Sequence, residues 1–322
     1  EKLIEQISRI DFEQMKALYK IATTKPEFED VVIEPIPYVD TLKLSENEKK
    51  MYTELGEKLI KEGKLAAVTM AGGQGTRLGH NGPKGTFDLG LDTHKSLFEI
   101  LTDVLKDARE KYDVDIPWYI MTSRENNDET EKFFEEHDYF GYPKNAVRMF
   151  FKQSELPMLD ESGKVVINED GIIKEAADGH GGIFEAMFKN GVLADMKVRG
   201  IEWVFVGGVD NPLVRMADPL FVGFAAKNNY MAASKTLAKS YPEEKVGVFC
   251  RKNGKPYVIE YTEISKEMAE RKDENGELAF GESHVLLNLF NISTLEKIKE
   301  VKLPYHSAHK KATYQNEKGE II

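Results

Sequence analysis

Cysteine is almost absent: the 322 residues contain one, Cys250. No internal disulfide can form, which suits a reducing compartment. Cys250 lies in the apolar run Val246 to Cys250 and reads as a small core hydrophobe. Long hydrophobic runs are missing too. The most apolar stretch, after Asp218, is interrupted at Lys227, short of the 18 or more residues a spanning helix needs. The opening EKLIEQISRIDFEQ alternates charge without an apolar centre and does not read as a signal peptide. Positive charge is in deficit, 44 Lys and Arg against 55 Asp and Glu, for a net charge of −11. That balance argues against nucleic acid or an anionic membrane as partner, and a cytoplasmic protein is expected. Two common phosphate motifs are also lacking. GxxxxGK[ST] does not occur, which excludes a P-loop. Gly73-x-Gly75-x-x-x-Gly79 misses the GxGxxG dinucleotide fingerprint by one residue.

What is present is organised around Leu65 to Gly85, LAAVTMAGGQGTRLGHNGPKG. Leu65 to Met70 is a short apolar run suited to a buried parallel strand. It breaks into Ala71-Gly72-Gly73-Gln74-Gly75, where missing β-carbons let the backbone turn sharply and approach a ligand. Successive N–H groups in such a loop can form an anion-binding concavity. Arg77 and Lys84, the latter held by Pro83, then supply a forked and a point cation for polyphosphate.

The rest of the chain alternates helical and strand patterns. Residues 1 to about 22 have helical spacing, and Pro26, Pro35 and Pro37 mark an extended connector. Ser45-x-x-Glu48 predicts a capping box for a helix to about Lys61, ended by Gly63. Ser96 predicts the cap of a helix to about Lys111. Ile116 to Thr122 and Val147 to Gln153 read as parallel strands, with Gln153 at a C-terminal end, where open α/β sheets bind ligands. Asn126 to Asp128 reads as a helix start. A polar hairpin turning at Asp170-Gly171 leads to Ala177-Asp178-Gly179-His180-Gly181-Gly182, a second glycine-rich loop that opens the helical run IFEAMFKNGVLADM. Trp203 to Gly208 is a buried strand, and Asp210, just past its end, is a natural Mg²⁺ carboxylate beside a polyphosphate site. Further strands cover Met231 to Leu237 and Gly247 to Glu263, the latter with a turn at Asn253-Gly254. This alternation favours a doubly wound α/β sheet with helices on both faces.

The string AGGQGTRLG followed by GPKG resembles the signature of UDP-sugar pyrophosphorylases, closest to the UDP-N-acetylhexosamine branch. FFKQSELPML, ADGHGG, VDNPLVRMADPLFVGF, KVGVF, VIEYTEIS and LPYHSAHKK follow in the order expected of that branch. The resemblance implies a Rossmann-like nucleotidyltransferase fold with a mixed, mainly parallel sheet. Residues 1–55 would form an N-terminal helical region and connector, 56–300 the catalytic domain, and 301–322 the start of a truncated C-terminal region. It implies the reaction UTP plus N-acetylglucosamine 1-phosphate to UDP-N-acetylglucosamine plus pyrophosphate, with Mg²⁺ as cofactor. Arg77 and Lys84 would act on the phosphates. Ala71, Gly72, Gly73, Gly75 and Thr76 would hold the nucleotide, while Gln153, Gly179 and His180 would surround the base and its neighbours. Asp210 would carry the metal. Gly247, Glu260 and His284 would face the sugar, and Lys310 is a phosphate-binding candidate. Small molecules would be the only partners, and a monomer or weak homodimer is expected. Two departures bear on the sugar: the branch's GNGG reads GHGG here, and His284 stands where the branch has a sugar-contacting Asn. Both leave room for glucose 1-phosphate or a broader sugar range. An alternative of another class is a UDP-sugar-binding regulatory protein without turnover.

Overall fold

The computed structural model describes residues 2–24, 31–298, 313, 314 and 319. It opens on two helices, α1 (Lys2–Arg9) and α2 (Phe12–Thr23), the second capped by Asp11. A short strand β1 (Ile33–Pro35) occupies the proline-rich connector. In α3 (Glu46–Lys61) the Ser45 side chain accepts from Glu48 N–H while the Glu48 carboxylate accepts from Ser45 N–H, the expected capping box. Next come β2 (Leu65–Met70), α4 (Leu97–Tyr112) capped by Ser96, β3 (Trp118–Thr122), α5 (Asn127–Glu136) and β4 (Val147–Lys152). A separate ribbon, β5 (Glu155–Pro157) with β6 (Glu175–Ala177), brackets the polar hairpin. The helical run expected after the second glycine-rich loop is two helices, α6 (Gly182–Lys189) and α7 (Val192–Val198). Gly191 between them has φ 76°, a region that a continuing helix does not use. The chain continues through β7 (Trp203–Gly208), α8 (Pro219–Lys227), β8 (Ala232–Ala238), β9 (Val248–Lys252) and β10 (Lys255–Ile259). It then forms α9 (Lys266–Glu270), β11 (Glu282–Asn291) and α10 (Ile292–Ile298).

Among the described residues nine strands form one mixed sheet. Strands β7, β2, β3 and β4 lie side by side and parallel. Beyond β7 the sheet turns antiparallel, with β11 pairing β7 and also β8 and β9, and β9 in turn pairing β1 and β10. Alternate side chains feed two cores, as strand geometry requires. Leu65, Ala67, Trp118, Ile120, Trp203 and Phe205 pack under α3, α4, α5 and α8. Ala66, Val68, Tyr119, Met121, Val204 and Val206 pack under α6, α7 and α10. Burial on both faces explains why these strands read as continuous apolar runs. Cys250 is fully buried in a third, small cluster with Val248, Ile259 and Phe280.

Helices α3 and α8 touch backbone to backbone. A β-carbon on Gly223 would lie 1.7 Å from the Tyr52 carbonyl oxygen, and one on Gly56 would lie 1.9 Å from the Pro219 carbonyl oxygen.

On the other face, α7 is tied to the sheet through Asp195. Its carboxylate accepts from Arg148 at 3.1 and 3.2 Å, from the Tyr119 hydroxyl at 2.6 Å and from Arg199 Nε at 3.0 Å. Hydrogen bonding from Arg148 is the largest influence holding the Asp195 carboxyl well below the usual carboxylate range. A depressed folded pKa contributes stability that is present above the unfolded value, about 3.9, and is lost as pH falls below it toward the folded value. Urea midpoints are therefore expected to fall as pH drops from about 4 toward 2. Asp195→Asn should be less stable than wild type at pH 7, with a shallower acid slope, both read from urea unfolding across that range.

Candidate functional site

The parallel strands end at a common edge, and each contributes a segment of the site. Immediately after β2, Ala71 is buried and its N–H donates to the Met121 carbonyl at 2.7 Å. The loop closes on itself: Gly75 N–H donates to Gly82 O at 2.9 Å and Lys84 N–H to Gly73 O at 3.0 Å. Its outer turn is braced by His80, whose Nε2 lies 2.8 Å from the Thr86 hydroxyl. Gly75 sits against that imidazole, so closely that a β-carbon there would be 2.8 Å from the ring. Among the described residues, the N–H groups of Gly72, Gly73, Gln74, Thr76 and Arg77 are not donated to any backbone carbonyl. Uncommitted N–H groups in sequence are what an anion-binding loop presents. A cavity of about 300 Å³ opens beside it, lined by Gly72, Gln74, Ser123, Glu155, Met158 and Ala177, at the small end of the range for ligand pockets.

Gln153 joins this loop to the second glycine-rich loop. The residue is buried just past β4, with its N–H donating to Thr122 O at 2.8 Å. Its Nε2 donates to Asp178 Oδ1 and to the Gly179 carbonyl, both at 3.3 Å. Its Oε1 lies 2.8 Å from where a β-carbon on Gly72 would stand, so glycine at 72 leaves room for the amide in this position. Burial pushes the Asp178 carboxyl up from its ordinary value, against the opposing Gln153 hydrogen bond. Gly179 has φ 88°, and His180 beyond it is exposed.

On the opposite side of the edge, Lys84 Nζ meets Asp210 Oδ2 at 3.3 Å. Lys84 starts a single 3₁₀ turn after Pro83, and Asp210 follows β7, so residues 126 positions apart converge. Arg77 lies in the exposed turn Thr76–Leu78, on the same loop as Lys84. Among the described residues no three His, Cys, Asp or Glu side chains form a metal-binding group. A lone carboxylate beside a phosphate loop still fits Mg²⁺, which takes most of its ligands from phosphates and water.

Gly247, Glu260 and His284 come together on the antiparallel wing. His284 N–H donates to Gly247 O at 2.8 Å, and a β-carbon on Gly247 would lie 3.3 Å from Glu260 Oε2. The His284 imidazole packs edge-on against Phe249, ring centroids 5.0 Å apart. Burial is the main cause lowering its pKa, against the Asn288 hydrogen bond and the Glu260 charge, and the nearby His180 adds to the lowering. Just beyond it, Leu286 takes φ 55° in a β-bulge between His284 and Leu287, which re-aims the strand beside the end of β7. Lys310 lies outside the described residues. Sequence reasoning missed Asn126, Asp178 and Phe249. None carried a usable signal: Asn126, at an expected helix start, reads as an ordinary cap.

A parallel-sheet edge with a glycine loop, a lysine and an opposed carboxylate is an arrangement in which open α/β proteins bind phosphate-bearing ligands. Comparison with known proteins narrows this: residues 12–322 match the UTP--glucose-1-phosphate uridylyltransferase family, and the chain belongs to it. It is 41% identical over 294 residues to the UDP-N-acetylglucosamine pyrophosphorylase of Saccharomyces cerevisiae, covering 87% of this chain and 61% of the yeast protein. It is 36% identical over 340 residues to UDP-N-acetylglucosamine diphosphorylase 2 of Arabidopsis thaliana, covering 99% of this chain and 67% of that one. The crystal structure of the Trypanosoma brucei uridine diphosphate N-acetylglucosamine pyrophosphorylase, in complex with inhibitor, superposes with a TM-score of 0.82 at 32% identity, over 98% of this chain and 65% of that one. The chain thus spans about two thirds or less of the length of these relatives.

Proposed function

We propose that the chain transfers uridylyl from UTP to N-acetylglucosamine 1-phosphate, giving UDP-N-acetylglucosamine and pyrophosphate. The observation that carries this reading is the convergence of Lys84 and Asp210 at 3.3 Å beside a loop of uncommitted N–H groups. The yeast, Arabidopsis and Trypanosoma relatives are named for N-acetylglucosamine, which supports that sugar. A phosphate monoester has its second pKa near 6, so the sugar phosphate attacks the α-phosphorus already ionised and needs no strong base. The obstacle is bringing anions together, and positioning with charge neutralisation by Arg77 and Lys84 meets it. Mg²⁺, held through Asp210, would add positive charge on the phosphate oxygens. Gln153 donates its amide N–H groups to Asp178 and Gly179, which turns Oε1 toward Gly72 as an acceptor. That polarity suits the N3–H of uracil and opposes the N3 acceptor of cytosine. Gly247, Glu260 and His284 would receive the sugar. The single buried Cys250 supports a reducing, cytosolic setting.

A second reading, glucose 1-phosphate as acceptor, is favoured by His180 and His284 at two positions near the sugar end. One experiment separates them: pyrophosphate release from UTP and Mg²⁺ with each sugar phosphate in parallel. Preference for the acetylated sugar is expected. Preference for glucose moves the assignment to that sugar while keeping the mechanism. UDP-sugar binding without turnover and without a metal requirement would identify a regulatory protein.

A further inference from the structure

Asn126 occupies the N-cap position of α5 yet does not cap it. An Asn there ordinarily accepts from the first helical N–H groups and contributes about 1 kcal/mol to the helix. Here the side chain is completely buried, and its Nδ2 reaches a distant loop. Its Nδ2 donates to the carbonyls of Ala71 at 2.9 Å and Gly73 at 3.3 Å, across 55 and 53 positions of sequence. Its Oδ1 accepts from Ser123 N–H at 2.8 Å, and the Ser123 hydroxyl accepts from Asn126 N–H at 3.2 Å. The amide orientation is fixed by these partners, because the reverse would set Oδ1 against two carbonyl oxygens. Ser123 and Asn126 thus form a reciprocal capping box one turn ahead of α5, with Asn127 N–H donating to Ser123 O at 3.1 Å, and the Asn126 Nδ2 is left over for a demand outside the helix.

The demand follows from peptide geometry. In a planar trans peptide the carbonyl and the next N–H point in opposite directions. Pinning Ala71 O and Gly73 O on the Asn126 side therefore turns the N–H groups of Gly72 and Gln74 to the other, open side of the loop. Lys84 N–H, also bound to Gly73 O at 3.0 Å, reinforces the second of these. We infer that Asn126 is the positioning residue of the phosphate loop: it aims the Gly72 and Gln74 N–H groups at the nucleotide's phosphates without touching the ligand. Glycine at positions 72 and 73 leaves the loop otherwise able to rotate its peptides, so the aim has to be imposed from outside it. This rests on reading the loop as the phosphate cradle of the proposed function.

The test is equilibrium titration of the full chain with magnesium UTP and with uridine, in wild type, Asn126→Ala and Asn126→Asp, with thermal midpoints alongside. Asn126→Asp keeps the shape and the acceptor for Ser123 N–H but cannot donate, and it sets a carboxylate against two carbonyls. UTP affinity is expected to weaken roughly tenfold to a hundredfold, the scale of misdirected hydrogen bonds to a charged group. Uridine, which carries no phosphate, should change by less than about threefold because its base would be held through the Gln153 side chain, whose own partners are Asp178 and Gly179. Equal losses for both ligands indicate a general structural role and overturn the inference, as does unchanged UTP affinity. In wild type, the Gly72 and Gln74 amide protons should move downfield on adding inorganic pyrophosphate, a readout that needs no variant to fold. Stationary resonances overturn the inference. A wild type that ignores UTP refutes the nucleotide reading and Asn126 with it, whereas a wild type that binds UTP beside an indifferent Asn126→Asp refutes Asn126 alone.

Discussion

Lys84→Ala is expected to lower turnover about a hundredfold or more, a loss of a few kcal/mol of transition-state stabilisation. Two features make this lysine different from a solvated surface cation. Its backbone is fixed, with Pro83 before it at φ −56° and its N–H bound to Gly73 O, so the side chain springs from the phosphate loop itself. Its side chain is only a quarter exposed, and its ammonium already meets the Asp210 carboxylate. Charge held in place costs no reorganisation when negative charge shifts onto the leaving pyrophosphate, and such preorganised groups supply much of the catalysis in phosphoryl transfer. The decline should appear in kcat more than in the KM for UTP, because the glycine loop keeps its N–H donors. Lys84→Arg should recover only part, since a planar fork does not reproduce a point charge on a flexible stem. Steady-state kinetics with both substrates varied provide the check. Near-normal kcat in Lys84→Ala removes this residue from the catalytic role.

Gly223→Ala is expected to destabilise the fold by about 3 kcal/mol or more, the upper end of overpacking costs. The added methyl would lie 1.7 Å from the Tyr52 carbonyl oxygen and 2.8 Å from Gly56 N. Those neighbours are helix backbone and cannot swing aside as a flexible side chain can. The helices α3 and α8 must therefore separate, and separation opens the core layer shared by Ile60, Phe221 and Val222. An alanine on an exposed helix position would gain helix propensity instead, so the sign of the change reports the crossing itself. Urea unfolding monitored by circular dichroism measures it. A midpoint equal to wild type would mean that the two helices are not in backbone contact.

The parallel half of the sheet was legible because doubly buried strands show as unbroken apolar runs, from Leu65 to Met70 and from Trp203 to Gly208. Helix starts were legible where a short polar side chain does its usual work, at Ser45 and Ser96. Asn126 defeated the same rule because its amide serves a loop more than fifty positions away; only the folded chain reveals that partner. The break at Gly191 was hidden because the apolar spacing on either side continues in helical phase. In the site, the glycine loop, Gln153 and Asp210 stood out through position at strand ends, whereas the contact between Lys84 and Asp210 could not be read from spacing. Asp178 and Phe249 gave no signal, one looking like a turn former and the other like ordinary strand core.

The change from parallel to antiparallel pairing at the seam between β7 and β11 has an evolutionary consequence. Uridine and triphosphate would be handled by loops that follow β2, β4 and β7, whereas the acceptor sugar would meet residues of the wing, Gly247, Glu260 and His284. Each side has its own supports: Asn126 and Gln153 on one, the Phe249 ring and the bulge at Leu286 on the other. Inheritance can therefore trade one acceptor for another by editing a few wing positions, of which His284 is one, while the machinery that would activate the nucleotide descends unaltered.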